Sequence, residues 1–303
     1  MKLPKIIMII GIPGSGKSYE AQLLSKEYDA IICSSDEIRK NNFNNEYSKE
    51  ANAAVFNELH KKVRQYLRSG RNVIYDATNI NSKKRMIFLK QELKGISCEK
   101  IAIIMATPYE QCQLNNQNRE AKVPEEVIRR MYINWQTPYY YEGFDVIQIV
   151  LWDKISSPAP AEWADLYKIF RQDNPHHGLT LGEHCLAARD YIVDANTSKE
   201  IQYAALLHDC GKPFTKDFHD SKRNPTKEAH YYNHNNVGAY DSMFYMSHIK
   251  NVDSVLVSWL ICNHMEPYIW TKSQGVSEKR RKLWGDELWV SINLIHEADV
   301  HAH

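Results

Sequence analysis

The chain has 303 residues, 25% charged and 43% hydrophobic, with a formal net charge of +1. That length favours two domains over a single core, and the ordinary apolar content describes a globular chain rather than a disordered one. Near-neutral charge excludes a uniformly basic nucleic-acid coat but not a local basic groove, and no apolar run approaches the roughly 20 residues of a membrane span.

Residues 5–10, Lys-Ile-Ile-Met-Ile-Ile, read as a buried parallel strand and are too short for a secretory leader. They run directly into Gly11-Ile12-Pro13-Gly14-Ser15-Gly16-Lys17-Ser18, after which Tyr19 continues a helix. G-x-x-x-x-G-K-S between a strand and a helix is a phosphate-cradling loop. Its glycines, Gly11, Gly14 and Gly16, let backbone N–H groups turn onto phosphates, and the helix N-terminus adds its positive end. Lys17 is expected to reach the β- and γ-phosphates, and the Ser18 hydroxyl to ligate Mg²⁺, so the expected ligand is a nucleoside triphosphate.

Further strand candidates at residues 30–33, 72–76, 100–105 and 146–151 alternate with helical stretches at 49–68, 82–93, 108–118 and 124–135. The alternation predicts an α/β domain, a parallel sheet covered by helices on both faces. Asp36 follows the second strand, where a carboxylate beside the loop faces the γ-phosphate and can act as general base. Arg39, one turn later, is placed to hold a substrate phosphate. The alternative for Ser35 and Asp36 is helix capping. Asp76, ending the third strand in Asp76-Ala77-Thr78-Asn79, either holds a Mg²⁺ water or orients Arg39. Residues 118–124 suit a lid whose Arg119 stabilises the transferring phosphoryl group.

Together G-x-P-G-S-G-K-S, D-x-x-R, D-A-T-N and N-R-x-x-x-V-P resemble the phage-type 5′-hydroxyl polynucleotide kinases, over residues 5–150. The resemblance implies transfer of the ATP γ-phosphoryl to a 5′-OH. In it Lys17 and Ser18 hold ATP and Mg²⁺, Asp36 is the base, Arg39 clamps the first acceptor phosphate, and Arg119 is the lid arginine.

Two prolines among small residues at 156–161 mark a linker. The expected division is a kinase-like domain at 1–153, a linker at 154–162 and a second domain at 163–303. Residues 186–194, 199–207, 252–262 and 288–301 carry helical apolar spacing, predicting an all-α second domain. Most of the 13 histidines fall there. His208-Asp209 ends an apolar helix and is followed by Gly211 and Lys212, while His184, His234, His264 and Asp299 lie in helix-like segments. That donor total exceeds one tetrahedral ion and favours two divalent or iron-type metals. Lys212 either neutralises a bound phosphate or balances charge at a helix end. His60, His219, His230 and His248 read as caps or hydrogen-bonders. His176, His177, His296, His301 and His303 read as outer-sphere groups or nothing.

The order H…HD…H…H…D resembles the HD phosphohydrolase superfamily, with all six positions filled by His184, His208, Asp209, His234, His264 and Asp299. The resemblance implies phosphoester hydrolysis with Mn, Ni, Co or Fe. Asp299 lies four residues from the last residue of the sequence, where a helix end frays.

The two halves combine into an expected end-healing enzyme. It would phosphorylate 5′-OH ends with ATP and hydrolyse 2′,3′-cyclic phosphates or 2′- or 3′-phosphates. Its partners would be RNA or DNA ends and a separate RNA ligase. Lys61-Lys62-Val63-Arg64, Lys83-Lys84-Arg85 and Lys279-Arg280-Arg281-Lys282 offer phosphate contacts, and Trp135 with Tyr139-Tyr140-Tyr141 offers either base stacking or core or interface packing. The alternatives are a small-molecule kinase fused to a nucleotide phosphohydrolase, and a non-catalytic nucleotide sensor. Six cysteines without a C-x-x-C pair fit a reducing cytoplasm.

Overall fold

The computed structural model describes residues 3–44, 46, 48–119, 122–154, 156–175, 178–270 and 275–302. His176, His177 and His303 lie outside them. The chain divides into two compact units, residues 1–131 with 138–152, and residues 132–137 with 153–303. Residues 132–137, placed with the first half by the sequence reading, therefore group with the second unit.

In the first unit β1 (Lys5–Ile10), β2 (Ala30–Ser34), β3 (Asn72–Asp76), β4 (Glu99–Ala106) and β5 (Val146–Leu151) form a parallel sheet in the order β2-β3-β1-β4-β5. Ile6 to Ile10 are each no more than 1% exposed, so both faces of the central strand are covered, as its unbroken apolar sequence requires. On one face Ile7, Ile9, Ile74, Ile101 and Ile103 pack against Ala21 and Leu24 of α1 (Lys17–Tyr28). Beyond α2 (Ser35–Phe43), α3 (Lys49–Arg68) starts from Ser48, whose side chain accepts the Ala51 N–H. It buries Ala51, Val55, Leu59, Val63 and Leu67, one residue per turn. His60 of α3 lies against Tyr75 and Phe88, its Nε2 3.0 Å from the Tyr75 hydroxyl. It is a core hydrogen-bonder. α4 (Ser82–Ile87) runs into a π-turn at Phe88–Glu92, and α5 (Tyr109–Gln117) and α6 (Glu125–Ile133) follow β4.

The second unit is helical: α7 (Pro160–Leu166), α8 (Leu181–Asp194), α9 (Lys199–Leu207), α10 (Lys212–Thr215), α11 (His234–Tyr245), α12 (Ser254–Asn263), α13 (Glu266–Trp270), α14 (Val276–Trp284) and α15 (Asp286–His301). It also carries an antiparallel ribbon of β6 (Asp217–His219) and β7 (Pro225–His230), an addition to the all-α expectation. α8 opens with a Thr180–Glu183 capping box. Its Ala188 and Ile192 meet Ala205 of α9 and Ala298 of α15, small residues that let three helices approach closely. Trp135, for which base stacking and core packing were both open, is fully buried; its Nε1 donates to Thr137 and its ring meets Tyr240 edge-on. It is core.

A Cβ on Gly182 would sit 2.1 Å from the Ala164 carbonyl oxygen and 2.6 Å from the Lys168 nitrogen. Backbone, unlike a side-chain tip, cannot yield. Gly182→Ala is therefore expected to cost roughly 1–3 kcal/mol by overpacking α7 against α8. Thermal unfolding of the purified variant checks this, a melting temperature equal to the parent's being the contrary result.

Candidate active sites

The loop after β1 is held on three sides. Gly11 N–H donates to Thr78 O (3.0 Å), Thr107 Oγ1 to Ser15 O (3.0 Å), and Asn115 Nδ2 to Gly14 O (2.8 Å). Gly14 and Gly16 have φ of +83° and +89°, and a Cβ on Gly14 would meet Cys112 O at 2.1 Å, so glycine alone fits there. Lys17 Nζ donates to Ile12 O at 2.9 Å, folding the ammonium across the loop. Burial pushes its pKa down, with Asp76 and Asp36 acting in the opposite sense and Arg119 adding to it. These four groups therefore share one electrostatic neighbourhood.

Ser18 Oγ donates to Asp76 Oδ2 at 3.3 Å. Burial raises the Asp76 carboxyl's pKa, a rise that Lys17 and the Ser18 hydrogen bond counteract. A hydroxyl beside a carboxylate at the loop's end suits Mg²⁺, which supports the metal-water role for Asp76. Asp36 stands in the first turn of α2, whose N-cap Ser34 makes no side-chain capping bond. Its carboxylate instead meets Arg119 Nη2 at 3.4 Å. Asp36 and Arg119, the expected base and lid arginine, are thus brought together.

Arg39 differs from expectation. It is 4% exposed, and its guanidinium donates to Glu46 O (2.7 Å) and Asn52 Oδ1 (2.8 Å). Held by Glu46 and by Asn52 of α3, the side chain is not presented to an acceptor, and spacing within α2 carries no information about either partner.

In the second unit His184, His208, Asp209, His234, His264 and Asp299 are all buried and converge. They form two groups that share one carboxylate, His184–His208–Asp209–Asp299 and Asp209–His234–His264. Asp209 Oδ2 lies 3.4 Å from the Nε2 of both His184 and His208, while Oδ1 lies 3.1 Å from His234 Nε2 and 3.9 Å from His264 Nε2. Asp299 Oδ1 lies 3.1 Å from His184 Nε2 and 3.4 Å from His208 Nε2.

Every one of the four imidazoles is pinned from behind. The Nδ1 atoms of His184, His208, His234 and His264 lie 3.2, 2.7, 2.7 and 2.8 Å from the carbonyl oxygens of Ala302, Ala205, Tyr231 and Ile261. A carbonyl only accepts, so each Nδ1 carries its proton and each Nε2 turns inward, bearing a lone pair wherever the ring is neutral. The Nε2 pairs His184/His208 and His234/His264 then face each other at 3.1 and 3.2 Å. Facing lone pairs repel unless a proton or a cation lies between them, so this donor set fits cations.

Burial opposes charge on His208, yet Asp209 and Asp299 outweigh it and hold its pKa well above the ordinary imidazole value; the same balance raises His184. His264, where burial and the neighbouring His234 act together, is lowered to about 3. Lys212 Nζ lies 2.5 Å from Asp209 Oδ2 and donates to Gln172 Oε1 at 2.7 Å. Divalent cations held by these two groups would supply Lewis acidity to a phosphate ester.

An AAA-domain family model matches residues 6–138, and an HD-domain model matches residues 181–302. The chain is a P-loop kinase-like domain fused to an HD domain. A curated relative, the L-seryl-tRNA(Sec) kinase of Methanococcus maripaludis, is 28% identical over 157 residues, covering 48% of this chain. The chain spans 58% of that relative's length. A putative kinase from Chloroflexus aurantiacus is 17% identical over 50% of this chain and 86% of its own, with a TM-score of 0.43. A chain of the Pnkp1/Rnl/Hen1 RNA repair complex is 21% identical over 44% of each chain, with a TM-score of 0.39.

Several residues of both domains carried no signal in the sequence. In the HD domain Tyr268 donates to Asp299 Oδ2 at 2.8 Å, and Gln172 holds Lys212. In the kinase domain Asn115 grips the loop from 101 residues away. The expected basic clusters are partly neutralised. Arg64 pairs with Glu92, Arg85 is buried on Glu142, Arg280 meets Glu266 at 2.7 Å and Arg281 meets Asp286 at 2.6 Å. Of the other HD-domain histidines, His219 pairs with Asp217, His248 contacts Ser157 O, His230 stacks on Tyr232, His296 meets Tyr268 edge-on, and His301 stacks on Tyr191. Among the described residues no helix is long and apolar enough to cross a membrane.

Because Asp209 serves both groups while His234 serves one, their loss should differ. Elemental analysis of folded protein loaded with Mn²⁺ should give about two ions per chain for the parent and about one for His234→Ala. Asp209→Ala should hold neither firmly. Equal metal content in the two variants would show that the carboxylate is not shared.

Proposed function

We propose that the chain is a bifunctional enzyme that heals broken RNA ends. The kinase-like domain would phosphorylate a 5′-OH with ATP, and the HD domain would hydrolyse a 2′,3′-cyclic phosphate or a terminal 2′- or 3′-phosphate. The observation that carries this reading is the presence, in one chain, of two unlike phosphate centres. One is a P-loop beside an exposed carboxylate, Asp36, that meets Arg119; the other is a buried six-residue donor set divided by Asp209.

Each group has a chemical role. Asp36 would take the proton of the attacking hydroxyl, Arg119 would leave Asp36 to meet charge developing on the phosphoryl oxygens, and Lys17 would release Ile12 O for the β- and γ-phosphates. Asp76 and Ser18 would hold Mg²⁺, with the backbone of Gly14, Ser15 and Gly16 around the phosphates. In the HD domain Lys212 would meet the substrate phosphate, its hold on Asp209 fixing where that charge sits. Mn, Ni, Co or Fe each suit the imidazole and carboxylate donors. A separate RNA ligase would be the natural consumer of the product, since ligation requires a 5′-phosphate and a free 3′-OH. A reducing cytoplasm suits the six free, buried cysteines.

The relative from Methanococcus maripaludis bears a name that places its phosphoryl acceptor on a tRNA, and it favours a second reading in which the acceptor is the hydroxyl of a tRNA-borne serine.

RNA carrying a 5′-OH and a 2′,3′-cyclic phosphate distinguishes these. With ATP and Mg²⁺ the parent enzyme should transfer the γ-phosphoryl to the RNA 5′-OH, releasing ADP; with Mn²⁺, Ni²⁺ or Co²⁺ it should open the cyclic phosphate or remove the terminal phosphate. Asp36→Asn should lower the first activity by about 10²–10⁴-fold and spare the second. Asp209→Ala should do the reverse. Preferential phosphorylation of seryl-tRNA or of free nucleosides would overturn the RNA-end reading.

A further inference from the structure

The kinase-like domain contains a buried ion pair that the catalytic roles above leave unused. Arg85 and Glu142 are 1% and 0% exposed and lie 57 residues apart in sequence. Arg85 Nε donates to Glu142 Oε2 at 2.6 Å and Nη2 to Oε1 at 2.8 Å, a fork-on-fork geometry, and Ser82 Oγ also donates to Oε1 at 2.7 Å. The remaining arm of the guanidinium, Nη1, donates to the backbone carbonyl of Asn79 at 2.8 Å.

Asn79 has φ of +51°, and its Nδ2 donates to Ile9 O at 2.8 Å and to Ala77 O at 3.3 Å. Its neighbour Thr78 accepts the Gly11 N–H. The turn at residues 77–79 thus touches the end of β1, the first glycine of the phosphate loop and, through Asp76, the Ser18 hydroxyl. Glu142 aims Arg85, and Arg85 holds this turn.

We propose that Arg85 and Glu142 are positioning residues for phosphoryl transfer. They fix the turn that places Asp76 against Ser18 and pins Gly11, and so set the geometry in which Mg²⁺-ATP is held; the turnover part of this inference rests on the kinase reading above. A buried ion pair is a poor device for stability alone, because well-packed apolar residues of similar volume commonly serve as well or better. What apolar residues cannot supply is a donor directed at one carbonyl. The pair sits where such direction matters, at the junction of the Mg²⁺-side carboxylate and the loop. Lys83 and Lys84 of the same basic run are separate from it: Arg85 faces inward while they lie exposed.

The experiment is a comparison of the full-length parent with the double variant Arg85→Met/Glu142→Leu, using Mg²⁺-ATP binding by calorimetry, phosphorylation of a 5′-OH RNA and thermal unfolding. A positioning role predicts a melting temperature near or above the parent's, Mg²⁺-ATP affinity several-fold weaker, and kcat lower by about 10²-fold, the size of loss that misplacement brings. HD-domain hydrolysis should be unchanged. Parental Mg²⁺-ATP affinity and kcat in the folded double variant would overturn the proposal. Should that variant not fold, Glu142→Gln keeps the volume and one acceptor. It should show the same split between kcat and melting temperature in weaker form, and a lowered melting temperature with parental kcat would overturn the proposal equally. If the parent itself leaves 5′-OH RNA unphosphorylated, the RNA reading fails, and Mg²⁺-ATP affinity alone decides the positioning role.

Discussion

Four imidazoles can turn their Nε2 atoms toward one another only because a backbone carbonyl grips each Nδ1. In three of them that carbonyl lies three residues earlier in the chain, so the helix or turn bearing the ligand also sets its tautomer: Ala205 for His208, Tyr231 for His234 and Ile261 for His264. His184 instead uses Ala302, which ties α8 to the end of α15, the helix that also bears Asp299. The same device recurs in the kinase domain, where Lys17, Asn115 and Arg85 donate to the carbonyls of Ile12, Gly14 and Asn79. Side chains are directed by backbone, which moves less than another side chain does.

Asp209 is the group on which the HD centre turns. A buried carboxylate is expensive to ionise, and burial alone would drive its proton affinity up. Lys212, His208 and His184 together reverse that and hold its pKa well below the ordinary carboxylate value. The carboxylate therefore stays charged with an oxygen on each side, one among His184, His208 and Asp299, the other beside His234 and His264. Tyr268 completes the arrangement by occupying Asp299 Oδ2, which leaves Oδ1 turned to the imidazoles.

What could be read from residue order was whatever depends on local spacing. The strand–loop–helix at residues 5–28, all five strands of the sheet and the long helix α3 follow from apolar runs, glycine placement and a single amphipathic stripe. Of the six HD-domain donors, His208 and Asp209 were legible as an uncommon adjacent pair ending an apolar helix before a glycine, and His184, His234, His264 and Asp299 through the resemblance of the whole order to the HD phosphohydrolases. Illegible were contacts that exist only once distant segments meet: Glu142 under Arg85, Gln172 on Lys212, Tyr268 on Asp299. Arg39 shows the limit from the other side. Helical spacing placed it on the face of Asp36, but the chain at Glu46 and Asn52 folds over its guanidinium, and periodicity within one helix carries no information about what covers it. Arg85 was misassigned for the same reason, since a basic run reads as surface until an acid is folded beneath it.

The two centres differ in exposure, and that difference matches their chemistry. The HD donors are buried and mutually oriented, as befits a set that must hold charge at fixed positions before any substrate arrives. In the kinase domain the Asp36 side chain is 66% exposed and Arg119 35% exposed, and their contact is 3.4 Å. An exposed pair of that length contributes well under about 1 kcal/mol, because water screens both charges. A weak pairing is what a phosphoryl-transfer site needs at that place. On the proposed roles it would keep base and lid arginine within reach of each other, and the greater charge of a bound triphosphate would draw Arg119 away, leaving Asp36 free to accept a proton.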